Sequence, residues 1–260
     1  MAKKTPVLID FPSPLTVAID YPNNNGIYST SMTPSPNILL LLHGLGDSTT
    51  SFSSLGRGLN LPETTCITIQ APSSLPLDLV GFHWGDDVMF DTATSGLDMD
   101  AGFSRAVNLL VEDVVKKVLV SHCGYQLCEI LMLGFGQGGM AALAAARDIG
   151  CPASLLSSMA SSSSLAGVVS IGAPYPLSAS TVGPKNHTPV LLVAGSGSTT
   201  VTEVAVQRTR ENFEFVELHR WARHGDGMPR NREEMLPVMQ FFARRLRSRQ
   251  GVPEGSIELI

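Results

Sequence analysis

The stretch Leu131-Met132-Leu133-Gly134-Phe135-Gly136-Gln137-Gly138-Gly139-Met140 decides how this chain folds. An apolar run leads into glycines, and the glycines lead straight into the alanine-rich segment Gly138–Arg147. Short, continuously apolar runs suit strands buried on both faces. A strand that turns this abruptly into a helix is the setting of the elbow G-x-S-x-G, which lifts a serine above the end of a sheet. The turn leaves no room for a Cβ two residues before and two residues after its centre. Gly134 and Gly138 meet that demand. The centre itself is Gly136. Glycine tolerates the positive φ of such a turn but brings no oxygen.

Outward from this point, strand and helix patterns alternate. Ile38–Leu42 is five aliphatics in a row, closed by Gly44 and Gly46. Cys66–Ile69, Ile130–Leu133, Val168–Ile171, Val190–Val193 and Phe215–Leu218 are the other predicted strands of this region. Helices are expected over Phe52–Leu59, Asp98–Val120, Gly138–Arg147, Glu203–Asn212 and Glu233–Arg247. In the second of these, Phe103, Ala106, Leu109, Leu110, Val114 and Val118 recur at three and four, as one helix face requires. This order predicts an α/β protein: one mostly parallel, doubly wound sheet with helices on both faces. Residues 1–37 read as an N-terminal hairpin and loop of the same domain. In it, Val7–Ile9 would turn back on Leu15–Ile19 through Pro12 and Pro14. Residues 38–249 form the α/β domain and 250–260 a tail. Ser157–Ser164, with six serines, reads as a loop.

Composition narrows the classes. Of 260 residues, 43% are apolar and only 16% charged, against a usual ~25% charged, which excludes a disordered, solvating chain. A net charge of −5 gives no reason to expect nucleic acid. Cys66, Cys123, Cys128 and Cys151 show no C-x-x-C spacing, so neither a zinc site nor a disulfide framework is expected. No metal and no cofactor are implied. The apolar runs fall far short of the ~20 residues of a membrane span, and Met1–Pro6 has no apolar signal core. The expectation is a cytoplasmic protein that is not transmembrane, with reduced thiols.

The elbow segment resembles the G-F-S-Q-G-G of the phospholipase/carboxylesterase family, which includes the acyl-protein thioesterases. His43-Gly44-Leu45-Gly46-Asp47 resembles the family's H-G-L-G-D, whose loop donates an oxyanion-hole amide. Gln70-Ala71-Pro72 is similar to its P-x-A-P, and Phe82-His83-Trp84-Gly85-Asp86 to its S-W-F-D segment. Glu234-Met235 and Gln240-Phe241-Phe242 are similar to its last helix. The resemblance spans residues 38–247 and implies an α/β-hydrolase fold acting on carboxylic esters or thioesters. It also implies an oxyanion hole at the N–H groups of Leu45 and Gln137, and a cleft beside His43, His83 and Trp84.

The rest of the family's triad is altered. Its acid falls at Ser198, and its His-Gly at Ala194-Gly195. Its histidine falls near Met228, so His224 is a displaced candidate base, with Asp226 two residues on. A serine hydrolase needs a histidine to take the serine proton and a carboxylate to orient that histidine. With Gly136 in place of the nucleophile and Ser198 in place of the acid, the expected protein has an impaired triad. It keeps a cleft for an acyl or ester-like small molecule or an acylated protein. Two other readings stand beside it. One is an active, divergent serine hydrolase drawing its nucleophile from Ser161–Ser164, Ser196 or Ser198. The other is an interaction scaffold without a ligand. The sequence leaves the oligomeric state open.

Overall fold

The computed structural model describes residues 3–22, 33–76, 79–91, 96–149 and 164–249. Seven strands form one sheet: β1 (Val17–Asp20), β2 (Asn37–Leu42), β3 (Thr64–Ile69), β4 (Ile130–Phe135), β5 (Gly167–Ile171), β6 (Val190–Gly195) and β7 (Val216–Trp221). Their order is β1-β3-β2-β4-β5-β6-β7. All pairings are parallel except β1 with β3. Helices α1 (Thr49–Leu59), α3 (Gln137–Ile149), α4 (Glu203–Asn212) and α5 (Arg232–Arg245) fall where the sequence places them. Between α1 and α3 lies α2, made of Ser104–Asn108 and a continuation over Leu109–His122.

β2 shows why the sheet is central. All five of its aliphatics are fully buried. Ile38, Leu40 and Leu42 point into a core with Leu110 and Val114 of α2 and Ala141 and Leu143 of α3. Leu39 and Leu41 point into a second core with Phe52 of α1 and Phe241 and Phe242 of α5. A strand feeding two cores has no solvent face, which is why its sequence is continuously apolar. Each such side chain contributes about 1.5–3 kcal/mol by burial.

Three expectations change. No hairpin forms from Val7–Ile9: Leu8–Asp10 is a single 3₁₀ turn, and the strand Val17–Asp20 pairs with β3 instead. The Asp10 carboxylate accepts from the Val7 N–H at 2.9 Å and closes this turn locally. The helix expected from Asp98 begins at Ser104. Gly102 adopts φ +86°, which breaks the helical path. Beyond Leu109 this helix is wound in the wider π form. Its buried residues are the pairs 110/111, 114/115 and 118/119, a repeat of four rather than 3.6. In the last turn of α5, Arg244 pairs with Glu217 at 2.6 Å, and beyond the helix Arg247 lies 3.6 Å from Glu129. The serine-rich loop lies outside the described residues up to Ser163, and Cys151 does too.

The register fixes where chemistry can occur. Leu42 lies beside Gly134, Phe135 beside Ile171, and Ile171 beside Val193. The loops after β2, β4, β5 and β6 therefore emerge together at the carboxyl edge, where open α/β sheets place their ligand sites.

Candidate active site

At the end of β4 the chain turns through Gly136 at φ +52°. The Gly136 N–H donates to the Ile171 carbonyl at 2.9 Å, and its own carbonyl accepts from Gly139 and Met140. The glycines around it are required by space. A Cβ on Gly134 would lie 2.3 Å from the Gly138 carbonyl oxygen, and one on Gly138 2.3 Å from that of His43. At Gly136 the space is open: a Cβ would meet only Met99 Cε, at 3.5 Å. The fold has room for a side chain at the elbow's centre, and the sequence supplies none.

The loop after β2 backs directly onto the elbow. A Cβ on Gly44 would lie 2.8 Å from the Phe135 ring. Among the described residues no acceptor is bonded to the backbone N–H of Leu45 or to that of Gln137, the first residue of α3. Free N–H groups at a helix start attract negative charge.

His43 is fully buried and structural in its bonding. Its Nδ1 donates to the Gly44 carbonyl at 2.7 Å, and its Nε2 accepts from the Ala71 N–H at 3.0 Å. Burial lowers its pKa and outweighs the Gly44 carbonyl, which raises it. Trp84 is also fully buried. Its indole N–H donates to the His43 carbonyl at 2.8 Å, and its backbone N–H donates to Gln137 Oε1 at 2.7 Å. Trp84 thus joins the segment after β2 to the first turn of α3 from the core side. His83 is 4% exposed, and among the described residues its Nδ1 makes no hydrogen bond. Burial first, and then the Arg105 guanidinium, lower its pKa. Asp86 is a helix cap: its carboxylate accepts from the Ser104 and Arg105 N–H groups at 2.7 and 2.8 Å.

The segments after β6 and β7 do not assemble a base and an acid. His224 is exposed. Its ring packs on Gly197, where a Cβ would lie 2.6 Å from Nδ1. No hydrogen bond links His224 to Asp226 among the described residues. The carboxylate of Asp226 instead accepts from the Gly195 N–H at 2.9 Å and from the Ser198 hydroxyl at 2.6 Å. Ser198 in turn accepts from the Val201 N–H. Asp226 also packs against Gly172 at the end of β5, where a Cβ would lie 3.1 Å from its own Cβ. A carboxylate therefore does reach the loop that should carry the acid, from a different strand. Reading along the chain set Asp226 beside His224, two residues away, and missed that partnership. Met99, over the elbow, falls inside the helix expected from Asp98, and its spacing gives no sign of that position. The Ser196 hydroxyl is bonded to the Ala222 and Arg223 carbonyls. Ser161–Ser163 lie outside the described residues. Met228 packs in the second core rather than over the elbow.

Among the described residues no cluster of three metal-ligating side chains occurs, and no helix is long and apolar enough to cross a membrane.

Comparison with known proteins agrees with this fold. A family model described as phospholipase/carboxylesterase matches residues 25–243. An uncharacterized hydrolase of Schizosaccharomyces pombe is 29% identical over 228 residues, 86% of this chain and 89% of that protein. An uncharacterized hydrolase of Mycosarcoma maydis is 36% identical over 124 residues, 47% of this chain and 43% of its own length. Among solved structures, the esterase PE8 superposes with a TM-score of 0.64 at 17% identity, covering 89% of this chain and 99% of its own. Acyl-protein thioesterase 2 of Zea mays does so with a TM-score of 0.57 at 21% identity, covering 88% and 98%.

Proposed function

This chain belongs to the phospholipase/carboxylesterase family of α/β-hydrolases, and from that premise we propose that it binds an acyl or ester-like ligand, or an acylated protein, without hydrolysing it. The observation that carries the reading is Gly136: the elbow is intact, its centre has room, and no nucleophilic atom is there. A carbonyl oxygen entering between the Leu45 and Gln137 N–H groups would be polarised as in an oxyanion hole. Nothing stands opposite to attack it. Among the described residues no histidine is bonded to a carboxylate at the site, so a proton could not be removed from an incoming serine or water in the usual way. In this reading His43, His83 and Trp84 shape the cleft from below. Buried Cys66 and Cys123 are consistent with residence in the cytoplasm, which is part of the proposal.

One observation favours a second reading. Ser198 and Asp226 are bonded at 2.6 Å, and such a pair could serve a divergent hydrolase. A fluorophosphonate probe separates the two. The expected outcome is no covalent labelling, and no turnover of p-nitrophenyl acetate above a denatured control. Labelling mapped to Ser198 would establish the divergent hydrolase and overturn the binding-only reading.

A further inference from the structure

Away from the elbow, a cavity of about 360 Å³ opens between α2, the last turns of α3 and the chain that follows Tyr175. Arg147 lines it, and Arg147 is 5% exposed. Its Nε donates to Asn212 Oδ1 at 3.3 Å and its Nη2 to the Val182 carbonyl at 3.1 Å. Its Nη1 is buried and has no partner among the described residues. Both existing partners are neutral, and among the described residues no carboxylate forms an ion pair with it. A guanidinium cannot shed its charge, and burying a charge without a counter-ion is costly. The cavity wall therefore carries a buried cation that no carboxylate pairs with among the described residues.

The other walls describe what would fit. Phe103, Val107 and Ala144 present apolar surface, and Ser104 and Ser178 also line the cavity. The Tyr175 side of the cavity is braced from behind. Arg208 donates to the carbonyls of Pro176, Leu177 and Ala179, and its guanidinium lies 5.7 Å from the Tyr175 ring centre. Asp100 holds the Leu177 N–H and Ser178 from the outside. Asp148 also lines the cavity, and its charge disfavours a doubly charged anion such as phosphate while leaving a single negative charge acceptable. The volume lies at the low end for small-molecule sites.

We propose that this cavity binds a short monocarboxylate, with its carboxylate against the Arg147 guanidinium and its apolar body against Phe103, Val107 and Ala144. The site is separate from the elbow: Arg147 lies ten residues along α3 from Gln137, roughly 15 Å at 1.5 Å per residue. Calorimetric titration of the full chain with sodium hexanoate tests it, with hexanol and inorganic phosphate as comparison probes. Saturable hexanoate binding is expected, with hexanol and phosphate at least about tenfold weaker. Binding should fall by at least about tenfold in Arg147→Met, which removes the cation, and in Ala144→Leu, which fills the cavity and leaves the cation in place. If one variant does not fold, the other variant and the hexanol comparison on the unaltered protein still decide. Equal binding of hexanol and hexanoate overturns the proposal, as does tighter binding of phosphate. Hexanoate binding that survives in a folded Arg147→Met or Ala144→Leu variant overturns it too, because the carboxylate would then sit elsewhere.

Discussion

Gly136 and Gly138 look alike in sequence and differ in what they do. At Gly138 a Cβ would lie 2.3 Å from the His43 carbonyl and 2.5 Å from that of Leu42. Neither is a flexible side-chain end, so the strand and the helix would have to part. Gly138→Ala should cost about 3 kcal/mol or more, the upper end of overpacking, read as a lower denaturant midpoint. At Gly136 the only penalty is the left-handed backbone, about 1–2 kcal/mol for an L residue, because the space is open. Gly136→Ser should fold with that small loss and, lacking a poised base, should remain inactive on p-nitrophenyl acetate. Robust turnover by this single variant would mean that His224 reaches the elbow after all. The elbow glycines were legible in the sequence because their roles follow from residues two positions apart. The bond between Asp226 and Ser198 was not, because it joins the ends of two neighbouring strands across 28 positions of chain.

Helix α2 shows how an element can be recognised and its start still misplaced. Its apolar recurrence announced a helix, and Asp98 and Asp100 suggested the beginning. The working cap is Asp86, far back in the chain, whose carboxylate takes the first free N–H groups of the helix at Ser104 and Arg105. It fits there because Gly102 has no side chain: a Cβ would lie 2.8 Å from Asp86 Oδ2. Burial raises the Asp86 pKa, but the Arg105 and Ser104 N–H groups more than offset it, and the net shift is downward. Asp86→Ala should destabilise the protein by about 1–2 kcal/mol, in the range of lost helix caps, seen as a fall in melting temperature. A cap brought in by tertiary contact leaves no local signature, which is why the neighbouring acids drew attention instead. By contrast, α5 carries its own: Asn231 accepts from the Glu234 N–H at 2.9 Å, three residues on.

At the scale of the molecule, the two cores and the sheet between them were legible because runs such as Ile38–Leu42 have no polar face to offer. Buried histidines add a pH dependence that composition did not suggest. Burial lowers the pKa of both His43 and His83. The unfolded chain therefore takes up protons near pH ~6.5, where the folded chain does not. Stability should be complete above about pH 6.5 and should fall as pH drops below it, by up to ~1.4 kcal/mol per unit for each histidine until the folded-state pKa is reached. His43→Gln, which keeps an acceptor for the Ala71 N–H, should lower stability overall and flatten that slope; an unchanged slope in denaturation between pH 7 and 5 would exclude His43 as its source. The elbow carries one more consequence, for descent rather than for chemistry. Wherever a reactive side chain is held at positive φ, folding is downhill toward glycine, and at position 136 the open space around the Cβ position offers no packing to resist that slide among the described residues. Only selection for the reaction holds a serine there, so a lineage released from that demand gains stability by the very exchange that ends its catalysis.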